Sequence, residues 1–293
     1  MNDSTDLTTD LTNDDTIAAW NGVLFDKFLA HRDSFVAGLA PFGRSALELY
    51  PPPAEARVLD IGCGFGDTTL AIARLIGGRG EAVGVDVAGR FLDVARREAR
   101  IRGVTNVRYV DVDVQRAPLP GPFDHAFSRF GTMFFASPVA ALRNVRRSLR
   151  AGSQLCMVVW RKKDELPATY DVEQAVLSLV ARPETTDEPT CGPGPFSMAS
   201  PDVVSAQLLA AGFERITFER LDVSMSIGRD LDHAVAAMMD IGPAGEVLRL
   251  AGPAARTRVH EVIGAVRDVL APYARADGVY VPASAWIVTA TAA

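Results

Sequence analysis

Cysteine is scarce in this sequence, and its few copies form no metal-binding or disulfide pattern. The 293 residues include Cys63, Cys156 and Cys191, which are widely separated and odd in number. Zinc sites use closely spaced cysteines, and disulfide frameworks use an even number of them. We therefore expect no metal, and we place the protein in a reducing cytoplasm.

Long basic runs and long apolar runs are also missing. The formal net charge is −6, whereas a nucleic-acid-binding surface needs clustered Lys and Arg, so we expect no nucleic-acid partner. No apolar run approaches the length of a membrane span. The first sixteen residues hold five aspartates and neither the basic residues nor the apolar stretch of a signal peptide. The sequence therefore predicts no membrane partner.

The strongest positive signal is the stretch Arg57–Asp86, where two apolar runs enclose a glycine-rich turn and a helical pattern. The turn reads Gly62-Cys63-Gly64-Phe65-Gly66, and the second apolar run ends on Asp86. Closely spaced glycines let a ligand approach the backbone, and the start of a helix favours an anionic group. An acid after the second strand can accept both hydroxyls of a ribose. This layout is typical of a nucleoside-binding unit.

The spacing of the glycines indicates which nucleoside is bound. The pattern is Asp60-x-Gly62-x-Gly64-x-Gly66 followed by Asp67, not the G-x-G-x-x-G of dinucleotide dehydrogenases. An acid at position 67 would repel a pyrophosphate, whereas a ligand with a ribose, a carboxylate and a positive centre suits the turn. The pattern resembles the first motif of class I S-adenosylmethionine-dependent methyltransferases, closest to the small-molecule branch of ubiquinone and menaquinone biosynthesis.

The resemblance implies an α/β, Rossmann-like fold whose seven-stranded, mostly parallel sheet has an antiparallel last strand. We divide the chain into a disordered tail (1–15), an N-terminal helical cap (16–53), a cofactor-binding core (54–160), and cap insertions with the C-terminal strands (161–293). Deleting residues 1–14 is therefore expected to leave activity intact. Beyond Asp86, strands are predicted at Asn106–Val110, Phe123–Phe127, Gln154–Trp160, Glu214–Ile227 and Val279–Thr291.

Residues at the carboxyl ends of these strands are expected to bind the cofactor, because ligands of parallel sheets lie at that edge. The resemblance implies that an acid after the third strand accepts a hydrogen bond from the adenine amino group. It also implies that the backbone N–H of the next residue contacts the adenine ring. The pair Asp113-Val114 fits that role best, with Asp111 as the competitor. The predicted S-adenosylmethionine contacts are Asp60, Gly62, Gly64, Gly66, Thr68, Asp86, Val87, Asp113, Val114 and Ser128.

The substrate wall is expected to be apolar, as in most small-molecule pockets. Its predicted members are Trp20, Asn21, Phe130, Met133, Phe134 and Trp160. Arg129 is a catalytic candidate that could hold an anionic or carbonyl group, although a structural ion pair with an N-terminal acid explains it nearly as well. His233 is the least unfavourable base among the four histidines. Methylation of carbon often needs a base, and the sequence shows no convincing one, which slightly favours transfer to oxygen or nitrogen. The resemblance to quinone-biosynthesis enzymes favours transfer to carbon instead.

These features predict an enzyme that methylates a small, largely apolar organic molecule on oxygen, nitrogen or carbon, acting as a monomer or homodimer. Nucleic-acid methyltransferases carry an Asn-Pro-Pro-Tyr-like motif after the fourth strand, where this chain has Ser128-Arg129-Phe130-Gly131. The alternative is a non-catalytic S-adenosylmethionine-binding regulatory protein, which would keep the glycine turn but need no substrate pocket.

Overall fold

Three helices precede the sheet in the structure, a computed structural model that describes residues 13–181 and 193–293. They are α1 (Asp14–Asn21), α2 (Val23–Ala30) and α3 (Arg32–Leu49). Helix α1 begins inside the segment assigned to the disordered tail, with Asp14 and Asp15 in its first turn, where carboxylates suit the helix dipole. That prediction is therefore wrong at residues 13–15, and its remainder, 1–12, lies outside the described residues.

Five strands in the first half of the chain pair in parallel, in the order β3-β2-β1-β4-β5. They are β1 (Arg57–Ile61), β2 (Glu81–Asp86), β3 (Val107–Asp111), β4 (Phe123–Arg129) and β5 (Leu149–Trp160), and the helices between them are α4 (Asp67–Ile76), α5 (Gly89–Ile101) and α6 (Pro138–Ser148). Strand β5 begins five residues before its predicted start, since Leu149 already pairs with Phe123 across an irregular register. The carboxyl ends of these strands share one edge of the sheet.

The sheet is completed by an antiparallel strand inserted between two parallel ones. The later strands are β6 (Phe213–Gly228), β7 (Ala274–Arg275) and β8 (Gly278–Ala292). Strand β8 pairs antiparallel with both β5 and β6, which confirms the predicted sheet with its antiparallel last strand. The short β7 pairs with β8 as an additional strand that the sequence did not predict.

A second hydrophobic core lies beyond the carboxyl edge of the sheet. At the end of β5, Trp160 pairs with Ala285 of β8, and Ala285 also pairs with Leu221 of β6. Strands β6 and β8 continue to pair with each other beyond this point, so they extend past β5 by several residues. Around this extension pack α7 (Pro167–Leu179), α9 (Leu231–Asp240), α10 (Pro243–Leu250) and α11 (Val259–Leu270), while α8 (Pro201–Ala211) packs on the main core. We call this extension with α7 and α9–α11 the cap. None of the described helices is long and apolar enough to cross a membrane.

Helix α3 joins the sheet to the cap. A Cβ atom on Gly38 would collide with the Ser226 carbonyl of β6, so the helix and strand backbones approach closely. His31, just before α3, lies with its Nε2 2.7 Å from Asp240 at the end of α9. The N-terminal helices and the cap therefore enclose the same edge of the sheet.

Candidate active site

The glycine turn after β1 has a backbone that only glycine adopts readily. Gly62 and Gly66 have φ angles of 66° and 78°. A Cβ atom on Gly62 would lie 2.8 Å from Gly131 Cα, and one on Gly66 would lie 2.6 Å from Tyr109 Oη. The turn is thus a cradle free of side chains, packed against the segment that follows β4, and it fits a ligand that contacts backbone.

Asp86, at the carboxyl end of β2, is held by the backbone of the turn. Its Oδ2 accepts a hydrogen bond from Gly64 N–H at 2.9 Å, and its Oδ1 accepts one from Ala88 N–H at 3.0 Å. Burial raises the pKa of Asp86, while the hydrogen bonds from Ala88 and Gly64 act in the opposite direction. Each carboxylate oxygen keeps a further acceptor position, so Asp86 fits the predicted ribose role.

Asp60 lies beneath the turn and is 1% exposed. Thr69 Oγ1 donates to its Oδ2 at 2.6 Å. Burial raises the pKa of Asp60 to about 7, against the opposing effects of the Thr69 hydrogen bond and the Arg129 charge. In the structure this predicted cofactor contact therefore ties β1 to the start of α4. Thr68, also predicted, is buried in the first turn of α4.

Arg129, at the end of β4, forms a bidentate ion pair. Its two terminal nitrogens donate to the two carboxylate oxygens of Asp67 at 2.8 and 3.1 Å. The substrate-holding role predicted for Arg129 is therefore not seen. Arg129 does form an ion pair, but its partner is Asp67 of α4 and not the N-terminal acid that the sequence suggested. Because the pair neutralises Asp67, the electrostatic argument against a pyrophosphate is weaker than the sequence suggested.

Asp113 is better placed than Asp111 for the adenine role. Asp113 Oδ1 accepts from Gln115 N–H at 2.9 Å, and its Oδ2 accepts from Asn13 Nδ2 at 3.2 Å. The backbone N–H of Val114 donates to no other described residue, so it is available to a ligand. Asp111 is exposed, and its Oδ2 lies 2.9 Å from where Gly89 would carry a Cβ atom.

Three aromatic rings from different elements meet at the ends of β4 and β5, and we call them the aromatic wall. Phe130 is stacked on Trp160 with ring centroids 4.0 Å apart, and Phe42 of α3 meets them edge-on at 5.2 and 5.1 Å. Phe130 has a φ of 58°, an unfavourable conformation for a non-glycine residue. Sequence reasoning missed Phe42, although its helical spacing from Phe35 could have marked it as buried.

The N-terminal helix reaches the same edge through two predicted residues. Trp20 meets Phe134 edge-on with centroids 5.2 Å apart. Asn21 Nδ2 donates to the carbonyl of Val87 at 3.1 Å. Asn21 therefore lies on the cofactor side, next to Asp86, and its predicted substrate role is not seen because the amide is bonded to backbone.

Three further predicted site residues contact neighbouring parts of the fold and are not directed towards a ligand. Met133 is 1% exposed, and its sulfur accepts from Trp160 N–H at 3.4 Å. Ser128 is fully buried and donates to the Ile61 carbonyl at 2.9 Å, tying β4 to β1. His233 lies in the first turn of α9, its Nδ1 2.7 Å from Asp230, the residue that caps this helix. These side chains support the fold, and His233 makes no described contact with the glycine turn.

Fold and site together define a Rossmann-like enzyme that binds S-adenosylmethionine, and comparison with known proteins identifies its family. Residues 58–152 match the family described as a methyltransferase domain. The chain is 32% identical over 186 residues to the ubiquinone/menaquinone biosynthesis C-methyltransferase UbiE of Azotobacter vinelandii, covering 61% of this chain and 74% of that protein. It is 31% identical over 116 residues to the aklanonic acid methyltransferase DauC of a Streptomyces species, covering 39% of this chain and 53% of the relative.

Solved structures agree on the fold. The YcgJ protein of Bacillus subtilis superposes with a TM-score of 0.52 at 19% identity, covering 87% of this chain and 97% of that one. A methyltransferase of Bacillus halodurans gives a TM-score of 0.52 at 16% identity, covering 85% and 98%. The chain belongs to the class I S-adenosylmethionine-dependent methyltransferases, in their small-molecule branch. It is an enzyme whose cofactor is S-adenosylmethionine, and nothing in the comparisons supports the non-catalytic alternative.

Proposed function

We propose that the protein transfers a methyl group to a carbon atom of a small, planar, hydroxylated aromatic molecule. The observation that carries this proposal is the position of the aromatic wall. Phe130 precedes Gly131, and Gly131 packs directly on the Gly62 turn, so the wall and the cofactor cradle are adjacent. Phe42 is fully buried and Phe130 is 7% exposed, so the half-buried Trp160 is the ring through which the wall would meet a substrate. A planar ring suits that contact, because aromatic faces and edges attract one another.

The cofactor is held, in this proposal, along one edge of the sheet. Asp86 and Val87 hold the ribose, Asp113 and Val114 hold the adenine, and the glycine turn holds the amino-acid part. Bound in this way, S-adenosylmethionine supplies a methyl group already activated on a sulfonium. The chain contributes alignment of the acceptor and exclusion of water by the aromatic rings.

The three residues of the aromatic wall include no ionised side chain that could act as a base. This favours an acceptor whose own hydroxyl groups make its carbon electron-rich. Arg129 is paired with Asp67, and His125 lies on the amino-terminal half of β4, buried, with a pKa lowered to about 4. A hydroxylated ring has an electron-rich carbon of its own. That carbon would take the methyl group that bound S-adenosylmethionine supplies, the bonding electron pair would remain with the cofactor's sulfur, and the ring proton would pass to solvent after transfer. The names of the UbiE relatives, all C-methyltransferases, support transfer to carbon.

Two further parts of the proposal rest on the sequence. The acidic balance of the chain, with a net charge of −6, supports a free small molecule over a nucleic acid as substrate. Action in the cytoplasm, as a monomer or homodimer, completes the proposal.

The test uses S-adenosylmethionine labelled with carbon-13 in the methyl group. The purified enzyme is incubated with dihydroxylated aromatic rings, aliphatic amines and carboxylic acids, and the products are examined by NMR. We expect label only on the hydroxylated rings, with the chemical shift of a methyl group bonded to carbon. A methyl shift typical of oxygen or nitrogen would overturn carbon transfer, and labelling confined to protein or RNA fractions would overturn the small-molecule substrate.

A further inference from the structure

Asn13 lies where a helix-capping residue lies, but its side chain does not cap the helix. It precedes α1, and its carbonyl accepts from Ile17 N–H at 2.9 Å, while its side chain makes no capping hydrogen bond. Asparagine in this position ordinarily accepts a hydrogen bond from the first turn. The side chain instead crosses to the loop after β3 and donates to Asp113.

The orientation of the Asn13 amide follows from that contact. Its Nδ2 must face the Asp113 carboxylate, because the reversed amide would set an oxygen against an anion. The Oδ1 atom is therefore directed away from Asp113. Within residues 13–181 and 193–293 this oxygen is buried without a hydrogen-bond partner, and the residue is 6% exposed. A buried acceptor without a donor costs free energy, so its presence here calls for a ligand donor.

The segment that carries Asn13 is anchored independently. Asp14 pairs with Arg116 at 3.0 Å, which ties the start of α1 to the same loop as Asp113. Asp113 Oδ1 accepts from Gln115 N–H, and Asp113 Oδ2 accepts from Asn13 Nδ2 with Arg116 Nε 3.8 Å away. A carboxylate oxygen can accept a second hydrogen bond, so Asp113 and the neighbouring Asn13 each offer an acceptor to a ligand.

We propose that Asn13 is a second acceptor for the exocyclic amino group of the cofactor's adenine, beside Asp113. An amino group has two hydrogens, and the two acceptors take one each, while Val114 N–H meets the ring. The proposal rests on the adenine placement given under Proposed function. It makes the N-terminal segment part of nucleobase recognition, so deleting residues 1–14 removes a binding group that deleting residues 1–12 retains.

The test compares two ligands that differ only in the amino group. Binding of S-adenosylhomocysteine and of its 6-deaminated purine analogue is measured by calorimetry on the full chain and on Asn13→Ala and Asn13→Leu. Both variants should lose about tenfold in affinity for S-adenosylhomocysteine and less than twofold for the analogue, since the analogue has no amino group to bind. Leu keeps the branched shape of Asn with the same number of side-chain heavy atoms, so it controls for a collapse of the segment in the Ala variant.

Asp14→Asn is the matched control, because it weakens the pair with Arg116 and leaves Asn13 in place; both ligands should change equally. If the Asn13 variants lose both ligands equally, or neither, Asn13 is only a structural link and the inference is wrong. If the unmodified chain binds S-adenosylhomocysteine no more tightly than the analogue, the adenine placement itself fails. The two failures are thus told apart by the unmodified protein.

Discussion

The proposed cofactor side and the proposed substrate side of this site are built in different ways. On the proposed cofactor side, directional hydrogen bonds join residues near in sequence, such as Gly64 N–H and the Asp86 carboxylate, which are 22 residues apart. On the proposed substrate side, rings from α3, from β5 and from the residue after β4 meet through edge and stacking contacts, as Phe42, Trp160 and Phe130 do. One side depends on backbone geometry and the other on side-chain packing.

The difference explains how one cofactor can serve many acceptors. A turn with positive φ angles and a carboxylate held by two N–H groups cannot change shape without losing its ligand. Apolar side chains, in contrast, can be exchanged for others of similar volume at a cost of about 1.5 kcal/mol or less. The substrate side can therefore vary between relatives while the cofactor side stays the same.

The largest effect is expected on the cofactor side, from Gly66→Ala. Left-handed backbone costs an alanine about 1–2 kcal/mol and overpacking about 1–3 kcal/mol, so the total reaches about 5 kcal/mol. The new Cβ atom would lie 2.7 Å from Ala95 Cβ. Gly103→Ala is the control, because Gly103 also has a positive φ, 63°, but has nothing within 4 Å of its Cβ position. Equal losses in the free energy of unfolding and in S-adenosylhomocysteine affinity would contradict the steric account.

The buried carboxylate of Asp60 is expected to make stability depend on pH. Its pKa is about 7 in the folded chain against an ordinary value of 3.8. The folded state therefore keeps a proton that the unfolded chain releases, so the contribution of Asp60 is most favourable below pH 4 and is lost as pH rises towards 7. Asp60→Asn removes this dependence. Its stability relative to the unmodified chain should rise between pH 4 and pH 8 by up to about 4 kcal/mol. A constant difference in urea unfolding at pH 5 and pH 8 would refute the assignment.

Asp86→Ala should weaken S-adenosylhomocysteine binding by about 1.5–3 kcal/mol, the contribution of hydrogen bonds to a charged group. Asp111→Ala is the matched control, because Asp111 is paired with Asp86 in the sheet register but is exposed. Calorimetry on both variants separates the two acids. Unchanged affinity in Asp86→Ala would remove Asp86 from the ribose role.

The smallest effect is expected on the substrate side, from Phe130→Leu. Losing the stack on Trp160 costs about 0.5–1.5 kcal/mol. We expect a raised KM for the small-molecule substrate and an unchanged Kd for S-adenosylhomocysteine. Phe218→Leu loses a comparable contact with Trp286, at 6.0 Å, outside the wall, so it should leave KM unchanged. A change in cofactor Kd in Phe130→Leu would show that the two sides are not independent.

The cofactor side could be predicted from the sequence because its parts are contiguous. The glycine spacing and the acid at the end of a strand are local patterns, and Asp86 is where they predict it. The preference for Asp113 over Asp111 also agrees with the geometry, since Asp113 is linked to the N-terminal segment and Asp111 is exposed.

The substrate side could be predicted only in part, because its contacts join distant segments. Helical spacing can mark Phe42 as buried, but nothing local indicates that it meets Trp160. Arg129 illustrates the same limit: its partner Asp67 lies 62 residues away on a helix, whereas the sequence suggested an N-terminal acid or a substrate. On the cofactor side, Asn13 was missed, because a polar residue in a polar segment carries no periodic signal.

The position of β8 in the sheet has a consequence for the order in which the chain can fold during synthesis. Strand β8 hydrogen-bonds to β5 on one side and β6 on the other, although it follows both in sequence. A nascent chain that ends before Gly278 therefore carries two long strands whose facing edges have no partner. Unpaired strand edges associate with other chains, so the growing polypeptide is exposed to aggregation through β5 and β6 until β8 has been synthesised.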